Sequence, residues 1–140
     1  MDSSEITQLG ASLREIDRAL LTNESKRGDV RLWYQGGEPY FDLFVELEEE
    51  EVIWFQLTLR GRVLSWKKSA FRDLKSPFSG WHTGRTNELQ TDDVAFYSAS
   101  KTIEHDRQLD RDFAQLVRAI METRAGDPIF DRILSLFGKI

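Results

Sequence analysis

Apolar residues at Ile6, Leu9, Leu13, Ile16 and Leu20 follow a 3-4-3-4 spacing that predicts one amphipathic helix over residues 3–22. Asp2, with Glu5 three positions on, supplies a capping-box start in which aspartate replaces serine or threonine. After the polar stretch TNESKRGD the period changes from helical to alternating. VRLWYQ reads as a first strand and Gly36-Gly37 as a hairpin turn. In YFDLFVEL, Phe41, Leu43, Val45 and Leu47 fall on one face and Asp42, Phe44 and Glu46 on the other. In VIWFQLTL, Ile53, Phe55, Leu57 and Leu59 share a face, and Val52, Trp54, Gln56 and Thr58 share the opposite one. A turn at Arg60-Gly61 sets Leu57 against Leu64 and Phe55 against Trp66, all on the same face, so turn chemistry and register agree.

Farther on, SAFRDLKSPF fits a helical turn ended by Pro77, SGWHTGRTNELQTDD reads as loop, and VAFYSASKTI as a last strand. From Asp106 a second stripe, Leu109, Phe113, Leu116, Val117, Ile120 and Met121, predicts a helix ending near Gly126. Asp127-Pro128 is a cap followed by proline at the first helical position, opening a helix over 128–137 that Gly138 stops. The expected architecture is a single α+β domain spanning 1–140: an N-terminal helix, an antiparallel meander of four to six strands, and two C-terminal helices packed on the sheet.

Composition narrows the chemistry. The chain has 140 residues and no cysteine, which removes disulfides, thiolate nucleophiles and Cys-ligated metal sites. MDSSEITQLG lacks the basic and apolar regions of a secretory signal, and no apolar run approaches the ~20 residues that span a bilayer. A cytoplasmic protein without a membrane partner is the expectation. The net charge of −5 opposes non-specific nucleic-acid binding, but it is unevenly placed: −7 between Glu38 and Glu51, and +6 between Arg60 and Arg85. Within the basic segment, Trp66-Lys67-Lys68 and Trp81-His82 interleave aromatic and cationic residues, yet the register turns Trp66 inward and leaves lysines alone outside.

Candidate chemistry is sparse. His82 and His105 are the only histidines, and no HxH or HExxH joins them; no GxSxG, P-loop or GxGxxG motif occurs. Carboxylates such as Glu46, Asp92, Asp93, Asp110 and Asp112 are abundant without forming a constellation. No catalytic residue, metal site or cofactor is therefore expected. GWHTGRT is the most site-like stretch: Trp81 offers a stacking surface, Thr83, Arg85 and Thr86 offer donors suited to an anion, and His82 stands beside them as a further ligand-binding candidate. The opposing account makes it a surface loop whose tryptophan plugs the core. Glu48, Glu49, Glu50 and Glu51 fall where a four-residue hairpin loop belongs, either a solvated tip that discourages edge pairing or a dock for a basic partner. Phe44 and Trp54 are apolar on what should be the wet face, so either helices cover that face or a partner does. Together these features favour a non-enzymatic protein-interaction module of adaptor, secretion-chaperone or immunity type, self-associating as a homodimer. The alternative is a ligand- or anion-binding domain, weakly marked as an enzyme, built on Gly80–Thr86.

Overall fold

Three aspartates start the three helices. Asp2 accepts the Glu5 backbone N–H at 2.8 Å, Asp110 that of Phe113 at 3.1 Å, and Asp127 that of Ile129 at 2.9 Å. Each side chain satisfies one of the donors that a helix N-terminus leaves without an intrahelical partner. A computed structural model of the chain describes residues 1–16, 30–68, 80–86 and 103–138. In it α1 (Ser3–Ser12) leads into a seven-stranded sheet of β1 (Arg14–Glu15), β2 (Val30–Gln35), β3 (Asp42–Glu48), β4 (Glu51–Leu59), β5 (Arg62–Lys67), β6 (Gly80–Thr86) and β7 (Ile103–His105). α2 (Arg111–Glu122) and α3 (Pro128–Phe137) follow. Spatial order equals chain order and every neighbouring pair is antiparallel, so the sheet is a pure meander.

This is the expected α+β class and layout, on a sheet wider than the four to six strands anticipated, with the short β1 and β7 at its edges. The β4–β5 hairpin has the predicted pairs, Leu57 with Leu64 and Phe55 with Trp66. One face of the sheet buries Leu32, Tyr34, Leu43, Val45, Phe55, Leu57 and Leu64. Against them pack Leu9 and Leu13 from the α1 end, Phe113, Val117 and Ile120 of α2, and Phe130, Ile133 and Phe137 of α3. Every buried apolar side chain of the described helices joins this one cluster.

Four sequence expectations are corrected. The N-terminal helix stops at Ser12 rather than 22; Leu13 is extended and the chain enters β1, while residues 17–22 lie outside the described set. Tertiary contacts end it: the Ser12 hydroxyl donates to the Leu9 carbonyl and accepts the Gly37 N–H. At Gly10 the helix meets α2 so closely that a Cβ would lie 1.8 Å from Thr123 Oγ1 and 2.9 Å from the Ile120 carbonyl. Second, the strand that follows the Gly36-Gly37 hairpin turn begins at Asp42 rather than Tyr40. The connection runs to Phe41, whose ring lies against Gly36 where a Cβ would sit 2.0 Å away. Third, GWHTGRT is not a loop but β6, paired residue for residue with β5. Fourth, the predicted faces of β4 change at its start. The register shifts at Glu46/Leu47, so Val52, expected opposite the core, is buried in it at 4% exposure. The expected helical turn at 69–78 and all of the expected strand 94–103 except Ile103 lie outside the described residues.

The shift also shortens the glutamate tip. Glu48 and Glu51 pair with each other, which leaves a two-residue turn, Glu49-Glu50, instead of four loop residues. Both turn residues have positive φ, 51° and 67°, the pattern of a type I′ turn that favours Asn-Gly. Glutamate in the left-handed region is strained by roughly 1 kcal/mol per residue. Glu49→Asn combined with Glu50→Gly should therefore raise stability by about 1 kcal/mol after the added freedom of glycine in the unfolded chain is deducted. A urea midpoint that falls instead would show that the glutamates hold the turn through contacts stronger than this strain.

Candidate functional site

Strict alternation on β2, β3 and β4 builds a second surface behind the core. Arg31, Trp33, Phe44, Glu46, Trp54 and Gln56 project from it, and register makes them contiguous: Trp33 faces Phe44, Arg31 faces Glu46, Glu46 faces Trp54, and Phe44 faces Gln56. Trp33 and Phe44 stack with centroids 5.8 Å apart and planes inclined by 10°. The Arg31 guanidinium lies 5.8 Å over the Trp54 ring while donating to Glu46 Oε1 at 2.9 Å. All three aromatic residues are half-buried. Phe44 and Trp54 are thus brought together as partner-binding candidates, and Trp33 and Arg31 join them. The alternation of VRLWYQ carried that signal, since it sets Arg31 and Trp33 opposite the buried Leu32 and Tyr34.

Beside the aromatic set, Asp42, Gln56 and Thr58 are buried polar residues of the same face. The Trp33 indole N–H donates to Asp42 Oδ1 at 3.1 Å. Burial pushes the Asp42 carboxyl above its ordinary value, an effect that the indole hydrogen bond partly offsets. The sign follows from linkage. A carboxyl whose folded pKa is raised disfavours the folded state once it ionises, so stability falls as pH rises from the ordinary value through the folded one. Asp42→Asn keeps the acceptor for Trp33 and removes that penalty. The variant should be at least as stable as the parent at neutral pH, with the advantage shrinking on acidification. Thermal melts from acid to neutral pH check this; an advantage that grows toward acid would reverse the assignment.

Glu48, Glu49, Glu50 and Glu51 are all exposed at the tip of the β3–β4 hairpin, and Lys68 Nζ reaches Glu51 Oε1 at 2.8 Å. Described residues of the acidic and basic segments therefore meet within the molecule, through Lys68 with Glu51 and through Arg60 with Glu38 at 2.8 Å; Arg60 also reaches Glu5 of α1 at 3.1 Å.

Gly80–Thr86 separates its four candidates. Trp81, Thr83 and Arg85 belong to the helix-covered face, and His82 to the other. Trp81 does plug the core: its ring centre is 4.7 Å from Phe137 and 5.7 Å from Phe55. The Thr83 hydroxyl donates to Asp106 Oδ2 and accepts the Asp110 N–H, both at 2.8 Å. Arg62 also ion-pairs with Asp106 and Asp110, and it lies over the Phe113 ring at 5.3 Å. The Phe113 N–H and the Arg62 guanidinium hold the Asp110 carboxyl below its usual range. This network clamps the start of α2 to the sheet. Trp66 is half-buried, packed on the core beside Trp81, so the aromatic half of the basic stretch faces inward.

Comparison of the chain with known family models, characterised proteins and solved structures finds no match. No described helix is long and apolar enough to cross a membrane.

Proposed function

We propose that the chain is a non-enzymatic protein-interaction module, of adaptor, secretion-chaperone or immunity type, that self-associates as a homodimer through the second face of β2–β4. The carrying observation is the contiguous set of Trp33, Phe44 and Trp54 with Arg31 on the face away from the helical cluster. Tryptophan and arginine are the residues in which binding energy concentrates at interfaces. Stacked in pairs and half-buried, these side chains are already ordered before any partner arrives, which lowers the entropy lost on association. Charge contributes less to this reading, because two ion pairs, Lys68 with Glu51 and Arg60 with Glu38, already join the acidic and basic segments within one chain. The ligand-binding alternative draws less support: the Thr83 hydroxyl is engaged by Asp106 and Asp110, and the Trp81 ring by Phe137 and Phe55.

Sedimentation at micromolar concentration tests the proposal. The expected species is a dimer of the 16.3 kDa chain, changed little between ~50 and ~500 mM salt and dissociated by Trp54→Lys. Circular dichroism confirms that the variant stays folded. A monomer at every concentration would end the homodimer reading, and a dimer that Trp54→Lys leaves intact would place the interface elsewhere.

A further inference from the structure

The chain has two histidines, 23 positions apart, and the fold brings them together. His105 on β7 pairs across the ladder with Gly84 on β6, and His82 lies two residues from Gly84 on the same strand. Both imidazoles thus rise from the second face of the sheet on a diagonal, with no side chain on Gly84 to fill the space between strands. Their ring centres are 5.4 Å apart and their planes inclined by 64°. His105 is exposed and His82 half-buried, so the pair is reached from solvent.

We infer that His82 and His105 form a two-histidine site for a first-row divalent metal ion. Two imidazoles on one tetrahedral ion, with each nitrogen about 2.0–2.1 Å from it, have ring centres roughly 5 Å apart. The observed separation matches that arrangement, and the inclined planes keep the rings from stacking face to face. Imidazole is a ligand for copper(II), nickel(II) and zinc(II), and affinity for such donors rises toward copper(II). No cluster of three or more metal-ligating side chains occurs among the described residues; the proposed site takes two imidazoles from the protein and completes its shell with water. The site belongs to β6–β7, on the same face of the sheet as the aromatic set on β2–β4 and with β5 between them. Sequence spacing alone does not point to it, because the antiparallel pairing of β6 with β7 is what removes the separation.

The experiment uses the wild-type chain, with copper(II) as probe in NMR and nickel(II) and zinc(II) in calorimetry. With two histidines, the chain has two imidazole Hε1 resonances, and substoichiometric copper(II) should broaden both together. Calorimetry should give one ion per chain, with His82→Gln and His105→Gln each weakening binding about tenfold or more. Metal-free melts report whether either variant is less stable. Broadening of only one resonance, binding that survives both substitutions, or no heat of binding would overturn the site and leave an edge-to-face ring contact. The wild-type NMR result decides the matter even where a variant folds poorly.

Discussion

Phe55→Ala should cost about 3–5 kcal/mol, the largest loss expected from any single truncation in the sheet. The side chain is fully buried in mid-strand and meets both layers of the core, with its ring 5.7 Å from Trp81 in the sheet and 6.3 Å from Phe137 on α3. Removing it opens a cavity that β4 cannot close, because pairing with β3 and β5, where Val45 and Trp66 are its cross-strand neighbours, holds the strand in register. Against a total of roughly 5–15 kcal/mol for a domain, the variant would be marginal. The same argument puts Leu57→Ala, also fully buried, at about 2–5 kcal/mol. Phe44→Ala is the built-in control. Phe44 is the same residue type one strand away but on the second face, half-buried and stacked on Trp33, so its loss should be about 1 kcal/mol. Urea unfolding separates the outcomes: the midpoint should fall steeply for Phe55→Ala and slightly for Phe44→Ala, with the slope unchanged. Equal losses would mean that the sheet has two cores rather than one core and one interaction face.

Where local signals agreed, the sequence was sufficient. Arg60-Gly61, with φ of 51° and 81°, sits between strands whose apolar residues match only in the observed register. Asp127, Pro128 and Gly138 bound α3 at its observed limits because each acts within one turn of its own helix. The misses have tertiary causes. α1 ends where Ser12 and Gly10 meet other elements, and a periodic stripe carries no record of that. Two glycines and several polar residues make GWHTGRT resemble a loop. Its alternation becomes decisive only once Trp81 is set against Trp66 and Phe137. The glutamate run resembles a long loop because two left-handed glutamates are an improbable turn, and the register shift that requires them lies a residue before the strand's end.

The second-face surface proposed for interaction was half legible for the same reason. Phe44 and Trp54 follow from alternation inside single strands. Placing Trp33 beside Phe44 needs the register of β2 on β3. A strand resuming at Tyr40 would set Gln35 against Tyr40, whereas Gln35 pairs with Asp42, a slide of two residues. The tuck of Phe41 against Gly36 lengthens the connection, and the Gly36 N–H donating to the Phe41 carbonyl at 2.7 Å closes it.

The second large effect is expected at Arg124, a charged residue that sequence periodicity passes over. It follows α2 in the corner leading to α3, and its guanidinium donates to the backbone carbonyls of Gly10, at 3.0 Å, and Leu13. Those carbonyls close the end of α1, where the unsatisfied C=O groups carry partial negative charge. The same guanidinium stacks 4.7 Å from the Phe130 ring of α3. One side chain therefore joins all three helices. Arg124→Ala should cost about 2–4 kcal/mol, combining two charge-assisted hydrogen bonds with a cation–π contact. Arg124→Lys restores the charge but not the planar fork, so it should recover less than half of the loss. Hydrogen exchange locates the effect: in the alanine variant α1 amides should lose protection before those of α2 and α3, because α1 contributes fewer buried side chains to the core than either and leans more on this corner. If lysine restored full stability, charge alone would account for the corner. If α2 and α3 opened together with α1, the three helices would form one cooperative unit on the sheet, and Arg124 would support all of it.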